Sequence, residues 1–101
     1  MVTGHITITN PYGIHLRPAG FLCRLALEYE SAVSMRKGTT VVNAKSVLGV
    51  LGACVRCGDE VEFICEGRDE SEALNAIMEA AKSGFGDGTP DPDGSGGSQA
   101  G

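Results

Sequence analysis

In the stretch "GIHLRPAGFL", residues 13–22, a histidine stands two positions before an arginine and three before a proline. From Leu16 onward the apolar spacing turns helical, and Pro18 fits a first turn because no hydrogen bond there needs its missing N–H. His15 is thus placed at a helix start, where the first N–H groups lack partners within the helix and the macrodipole is positive. That field and Arg17 together disfavour an imidazolium, so a neutral, nucleophilic ring is expected at pH 7. The same N–H groups and guanidinium form a seat for an anion such as a phosphoryl group. One geometry then favours both the neutral nucleophile and its anionic adduct, which is what a phosphohistidine requires. The plainer reading, a capping or surface histidine, leaves the Gly-x-His-x-Arg-Pro spacing unexplained.

Other chemistry-bearing residues are weaker. "CVRC" at 54–57 has the CxxC spacing of redox or zinc sites, but a structural zinc site takes four ligands and only one such pair is present. Cys23 and Cys65 read as small core residues on a helix and a strand, so no metal site is expected. His5 alternates with threonines on the wet side of a strand and reads as a surface residue. Glu60, Glu62 and Glu66 read as a solvated strand face rather than an acid–base pair.

The elements that must position these residues follow from periodicity. "VTGHITI", 2–8, alternates as a half-buried strand, and "NPYG", 10–13, is a loop. A helix is expected from Leu16 to Glu30, with Pro18, Ala19, Leu22, Leu25, Ala26 and Tyr29 facing the core. "AVSMR" and "TTVVN" flank "KG" and predict a hairpin with Gly38 at positive φ. Ser46 is a good N-cap for one short helix over "SVLGVLG", 46–52. "EVEFICE", 60–66, is a second half-wet strand. "DESEALNAIMEAAKSG", 69–84, predicts a helix with an Asp69–Glu72 capping box, core positions Ala73, Leu74, Ile77, Met78 and Ala81, and a stop at Gly84. The tail, 86–101, is too poor in apolar residues to order and is expected to be flexible, leaving one domain over 1–85. The pattern is α+β, an open-faced sandwich with helices on one side of an antiparallel sheet.

A chain of 101 residues buries one core but no deep enclosed site, so chemistry belongs at the surface. The net charge of −5 is uneven: residues 1–58 hold six Lys and Arg against two Glu, and residues 59–101 hold two against eleven acids, giving +4 and −9. A basic half without interleaved aromatics argues against nucleic acid and for an acidic protein or a phosphoryl group. No signal segment is seen, and the longest mostly apolar run, 47–55, is too short to span a bilayer. A cytoplasmic monomer with reduced thiols is expected.

"GIHLRPA" at 13–19 and "NAKSVLGVLG" at 43–52, in this order and spacing, closely resemble the HPr family, phosphocarriers of the bacterial phosphoenolpyruvate:sugar phosphotransferase system. The resemblance runs from residue 1 to about 85. It implies a four-stranded antiparallel sheet covered on one face by three helices, in βαββαβα order. It implies that His15 accepts a phosphoryl group on Nδ1 from enzyme I, assisted by Arg17, and hands it to enzyme IIA units of sugar permeases, without a cofactor and without being an enzyme. It further implies that Ser46 is a regulatory phosphorylation site for an HPr kinase/phosphorylase, read by a catabolite-control regulator. The chain departs from the family at Leu16, often alanine; at Leu48 and Leu51, often methionine; and at Cys54 and Cys57.

Leu16, Gly20 and Leu27 form a row off the core arc beside Arg17 and Arg24, and Val47, Leu48 and Leu51 can extend it from the short helix. Apolar surface beside positive charge is the composition of a docking patch for an acidic partner. A phosphate on Ser46 would add negative charge to that patch and act by repulsion. Two rivals stand beside the carrier: a regulatory binding protein of the same fold working mainly through Ser46, which the presence of His15 argues against, and a thiol or zinc module built on Cys54 and Cys57.

Overall fold

The computed structural model describes residues 1–86; beyond Gly86 the tail expected to be flexible lies outside the described residues. The element order is β1 (Val2–Thr7), α1 (Leu16–Ala26), β2 (Ala32–Lys37), β3 (Thr40–Asn43), α2 (Val47–Gly52), β4 (Glu60–Glu66) and α3 (Glu70–Lys82). The strands form one antiparallel sheet in the order β1-β4-β2-β3. Alternation along each strand decides which face is covered. Val33, Met35, Val61, Phe63 and Cys65 point into the core, and Phe63 sits opposite Gly4 on one side and Met35 on the other. His5, Arg36, Glu60 and Glu62 lie on the opposite face, away from the helices, where the Glu62 carboxylate pairs with Arg36 and approaches His5.

The helices cover the other face: α3 packs on β1 and β4, α2 on β3, and α1 on both α2 and α3. Leu22 and Ala26 from α1, Val50 from α2 and Ile77 from α3 are fully buried between the layers. Phe85, just past α3, closes this core edge-on to Phe63, with ring centroids 5.9 Å apart. The β2–β3 hairpin turns through Gly38 and Thr39, with Gly38 at φ +61° as its turn chemistry requires.

Three sequence expectations are corrected. The helix expected to reach Glu30 ends at Ala26, because Glu28 and Tyr29 donate to the tighter i−3 carbonyls of Leu25 and Ala26. The next groups are then taken by other elements: Lys45 Nζ donates to the Tyr29 carbonyl and the Glu30 N–H donates to Asp69. The Asp69–Glu72 capping box does not form. Asp69 instead accepts from the Glu30 and Ser31 N–H groups and from the Ser31 hydroxyl, while Glu70 accepts from the Gly67 N–H. The first strand ends at Thr7 rather than Ile8, whose N–H and C=O bind the 58–59 loop. Of the expected core positions, Leu25, Tyr29, Leu74 and Met78 are only partly buried, packed against the rim of the core.

Candidate functional site

The loop before α1 is fastened at several points. Asn10, buried, donates from Nδ2 to the Gly84 carbonyl at 3.0 Å, and the Gly13 N–H returns to the Asn10 carbonyl at 2.9 Å. Gly13 has φ +69° and rests so closely on the next loop that a Cβ would lie 2.2 Å from the Val55 carbonyl oxygen. Only glycine meets both conditions. The buried Ile14 then donates its N–H to that same Val55 oxygen at 3.0 Å.

His15 is the next residue, half-buried and extended at φ −88°, ψ −165°, as the N-cap of α1. Its carbonyl accepts the first helical bond, from Ala19 at 2.9 Å, and Tyr12 stands edge-on to its ring at 6.2 Å. Pro18 is the third helical residue, so its missing N–H falls among the groups that need no partner within the helix. The first turn contains no acid, Arg17 is exposed within it, and Arg24 supplies a second cation in the last turn. The Arg24 side chain lies back along the helix, its Nη1 within contact of the space above Gly20.

At the start of α2 the Ser46 hydroxyl accepts from the Gly49 N–H at 3.0 Å, the expected N-cap. The preceding Lys45 is held through three groups: its N–H by Asn43 Oδ1, its ammonium by the Tyr29 carbonyl and its own carbonyl by the Cys23 thiol at 2.9 Å. Cys23, expected only to fill the core, therefore also ties α1 to the residue before Ser46. Leu16, Leu27 and Leu48 are 67, 60 and 82% exposed. Val47 and Leu51, expected beside them, are partly turned onto the core, and Gly20 is half-buried.

The tie points Asn10, Tyr12, Gly13 and Val55 were not read from the sequence as parts of this site. Only the left-handed demand on Gly13 leaves a local trace, in the turn composition of "NPYG". Among the described residues no group of three or more His, Cys, Asp or Glu could hold a metal ion, and no helix is long and apolar enough to cross a membrane.

The comparisons with known proteins agree with this fold. The family model described as "PTS HPr component phosphorylation site" matches residues 2–83. The chain is 39% identical over 77 residues to the phosphocarrier protein HPr of Treponema pallidum, covering 76% of this chain and 88% of that protein. It is 38% identical, with the same coverage of both, to the phosphocarrier protein HPr of Lysinibacillus sphaericus. A crystal structure of HPr from Thermoanaerobacter tengcongensis superposes with a TM-score of 0.82 at 36% identity, covering 86% of this chain and 98% of that one.

Proposed function

The chain belongs to the HPr family, phosphocarriers of the phosphotransferase system and not catalysts in their own right, and from that premise we propose that His15 is its phosphoryl acceptor. The His15 imidazole attacks the phosphorus of a phosphorylated donor, the donor's bond to phosphorus breaks, and the phosphoryl group stays on His15 until a second partner takes it. By likeness to the family the atom is Nδ1, the donor is enzyme I and the acceptors are enzyme IIA units of sugar permeases, met in the cytoplasm by a monomer. Arg17 and the first α1 N–H groups would neutralise the phosphoryl oxygens, with no change of fold needed.

The observation that carries this reading is the setting of His15: extended, directly ahead of a helix with no acid in its first turn, and beside Arg17. The test is incubation with phosphoenolpyruvate and enzyme I followed by mass measurement. An adduct lost in acid, retained in base and missing from His15→Ala is expected; a chain that stays unmodified refutes the proposal.

Ser46 supports a second, compatible reading as a regulatory phosphorylation site for an HPr kinase/phosphorylase, read by a catabolite-control regulator. Its hydroxyl already caps α2, and a phosphate at a helix N-terminus is electrostatically tolerated there. The charge would instead repel acidic partners from the face formed by Leu16, Arg17, Gly20, Arg24, Leu27 and Leu48.

A further inference from the structure

Two of the four cysteines, Cys54 and Cys57, are exposed free thiols flanking Val55 and Arg56, while Cys23 and Cys65 are buried. Cys54 follows the α2 C-cap with φ +54°, the left-handed conformation that commonly ends a helix and that glycine usually supplies, so the thiol is carried by the residue that turns the chain out of α2. Its carbonyl is held by Lys37 Nζ at 2.9 Å. The two residues between the thiols are tied through the Val55 carbonyl and both backbone groups of Arg56. Val55 is buried and its carbonyl binds Ile14, the residue before His15. Arg56 donates its N–H to Asp59 Oδ2 at 2.8 Å and accepts at its carbonyl from the Asp59 N–H at 3.0 Å.

We propose that Cys54 and Cys57 are a redox-active pair whose closure into a disulfide loosens the bond between Val55 and Ile14 and thereby slows phosphoryl acceptance at His15. The co-reactant is a low-molecular-weight disulfide. One protein thiolate attacks a sulfur of that disulfide and expels one thiolate, leaving a mixed disulfide. The other protein thiolate attacks the protein sulfur of the mixed disulfide and expels the second thiolate. The two protons of the original thiols end on the two small thiols released, so a dithiol and a disulfide exchange roles with no other oxidant. Closure brings the two Cα atoms within about 4.4–6.8 Å, with Val55 and Arg56 inside the ring. A turn of the Val55 carbonyl on closure would break its bond to the Ile14 N–H, now 3.0 Å, and amide exchange at Ile14 reads that directly. An N-cap histidine displaced by even about 1 Å can lose as much as two orders of magnitude in rate, so a slowing of about tenfold is expected.

The reading of His15 given above enters only through the rate, and the test separates the two. The whole chain is treated with oxidised glutathione and followed by intact mass, thiol titration, amide hydrogen exchange at Ile14 and the rate of phosphorylation by enzyme I. Support is a species lighter by two hydrogens with no glutathione retained, two exposed thiols lost, faster exchange at Ile14 and about tenfold slower phosphorylation, all reversed by dithiothreitol and all absent from Cys54→Ser/Cys57→Ser. Glutathione that stays attached overturns the pair. A closed disulfide with unchanged Ile14 exchange overturns the link to the His15 loop, and unchanged exchange with an unchanged rate overturns the switch. If the reduced protein takes no phosphoryl group, the acceptor reading fails, and mass and exchange still decide this one.

Discussion

α1 and α3 lie side by side in one helical layer, yet α1 opens with His15-Leu16-Arg17-Pro18 and α3 with Asp69-Glu70-Ser71-Glu72. Both present the positive end of a helix dipole. At α3 that end is answered within the chain: Glu70 and Glu72 stand in the first turn, and the Asp69 carboxylate ties the 30–31 corner to the helix start. At α1 no acid stands in the first turn, and Arg17 within that turn carries a guanidinium. One helix start is finished by its own carboxylates and serves stability; the other is suited to an anion that arrives from outside. α2, on the other side of α1, is intermediate in chemistry: its start is closed by the neutral Ser46 hydroxyl, which phosphorylation would convert to an anion.

The sharpest way to break this contrast is to give α1 the chemistry of α3. Arg17→Glu removes the cation and places a carboxylate on the first turn, where it competes with the phosphoryl group for the same N–H donors. Loss of a charge-assisted contact together with repulsion should slow phosphorylation about a hundredfold, while the exposed position leaves the melting temperature little changed. Stopped phosphotransfer assays and thermal melts on one preparation check both halves; a large loss of stability with normal transfer would reverse the roles assigned to the two helix starts.

Ser46→Asp tests the intermediate case. Aspartate caps a helix about as well as serine, so the melting temperature should hold, while a new negative charge on the docking face should slow transfer from enzyme I about tenfold. Transfer kinetics unaffected by the substitution would detach Ser46 from that face. Ser46→Ala makes the complementary cut. The bond to the Gly49 N–H is lost, a cost of about 1 kcal/mol that should lower the melting temperature by about 4–8 °C with transfer almost unchanged.

The two helix starts were unequally legible in the sequence. His15, Arg17 and Ser46 were read correctly as lying at helix starts, because capping and periodicity are decided within a few neighbouring residues. Strand alternation likewise gave the two faces of the sheet. At α3 the boundary was nearly right and the cap was wrong: Asp69 had the spacing for a local box with Glu72, but its partners are Glu30 and Ser31, almost forty residues away. The same holds for Asn10 with Gly84, Ile14 with Val55 and Cys23 with Lys45. Local pattern names a polar residue as a capping or loop residue; which distant group it holds is settled only when the sheet and helices have packed. The overlong α1 has a local origin, the tightening to i−3 bonds at Glu28 and Tyr29, which apolar periodicity does not register; Lys45 and Asp69 then hold the groups that follow.

The remaining consequence is the smallest and follows from charge alone. Asp69 is held below the ordinary carboxylate range chiefly by the Ser31 hydroxyl and then by the backbone N–H groups of the 30–31 corner, and Glu70 by the Gly67 N–H and the N-terminal ammonium. A carboxylate whose pKa is lowered by folding stabilises the native state fully above its unfolded value and loses that contribution as pH falls through the folded one. The ordinary values here are 3.8 and 4.5, so the melting temperature should be level above about pH 5.5 and decline as pH drops below about 4.5. Asp59, lowered by the Arg56 N–H and by Lys37, adds to the same decline from the loop beneath Gly13. Asp69→Asn should melt lower than the parent at neutral pH and show a shallower decline in acid, because the substituted group no longer exchanges a proton on unfolding. The start of α1 contributes no carboxylate to this decline, so its acid sensitivity should appear in the His15 adduct and not in the fold. Melting curves of the two chains that run parallel from neutral to acid pH would show that the Asp69 carboxylate is not what fastens the 30–31 corner to the start of α3.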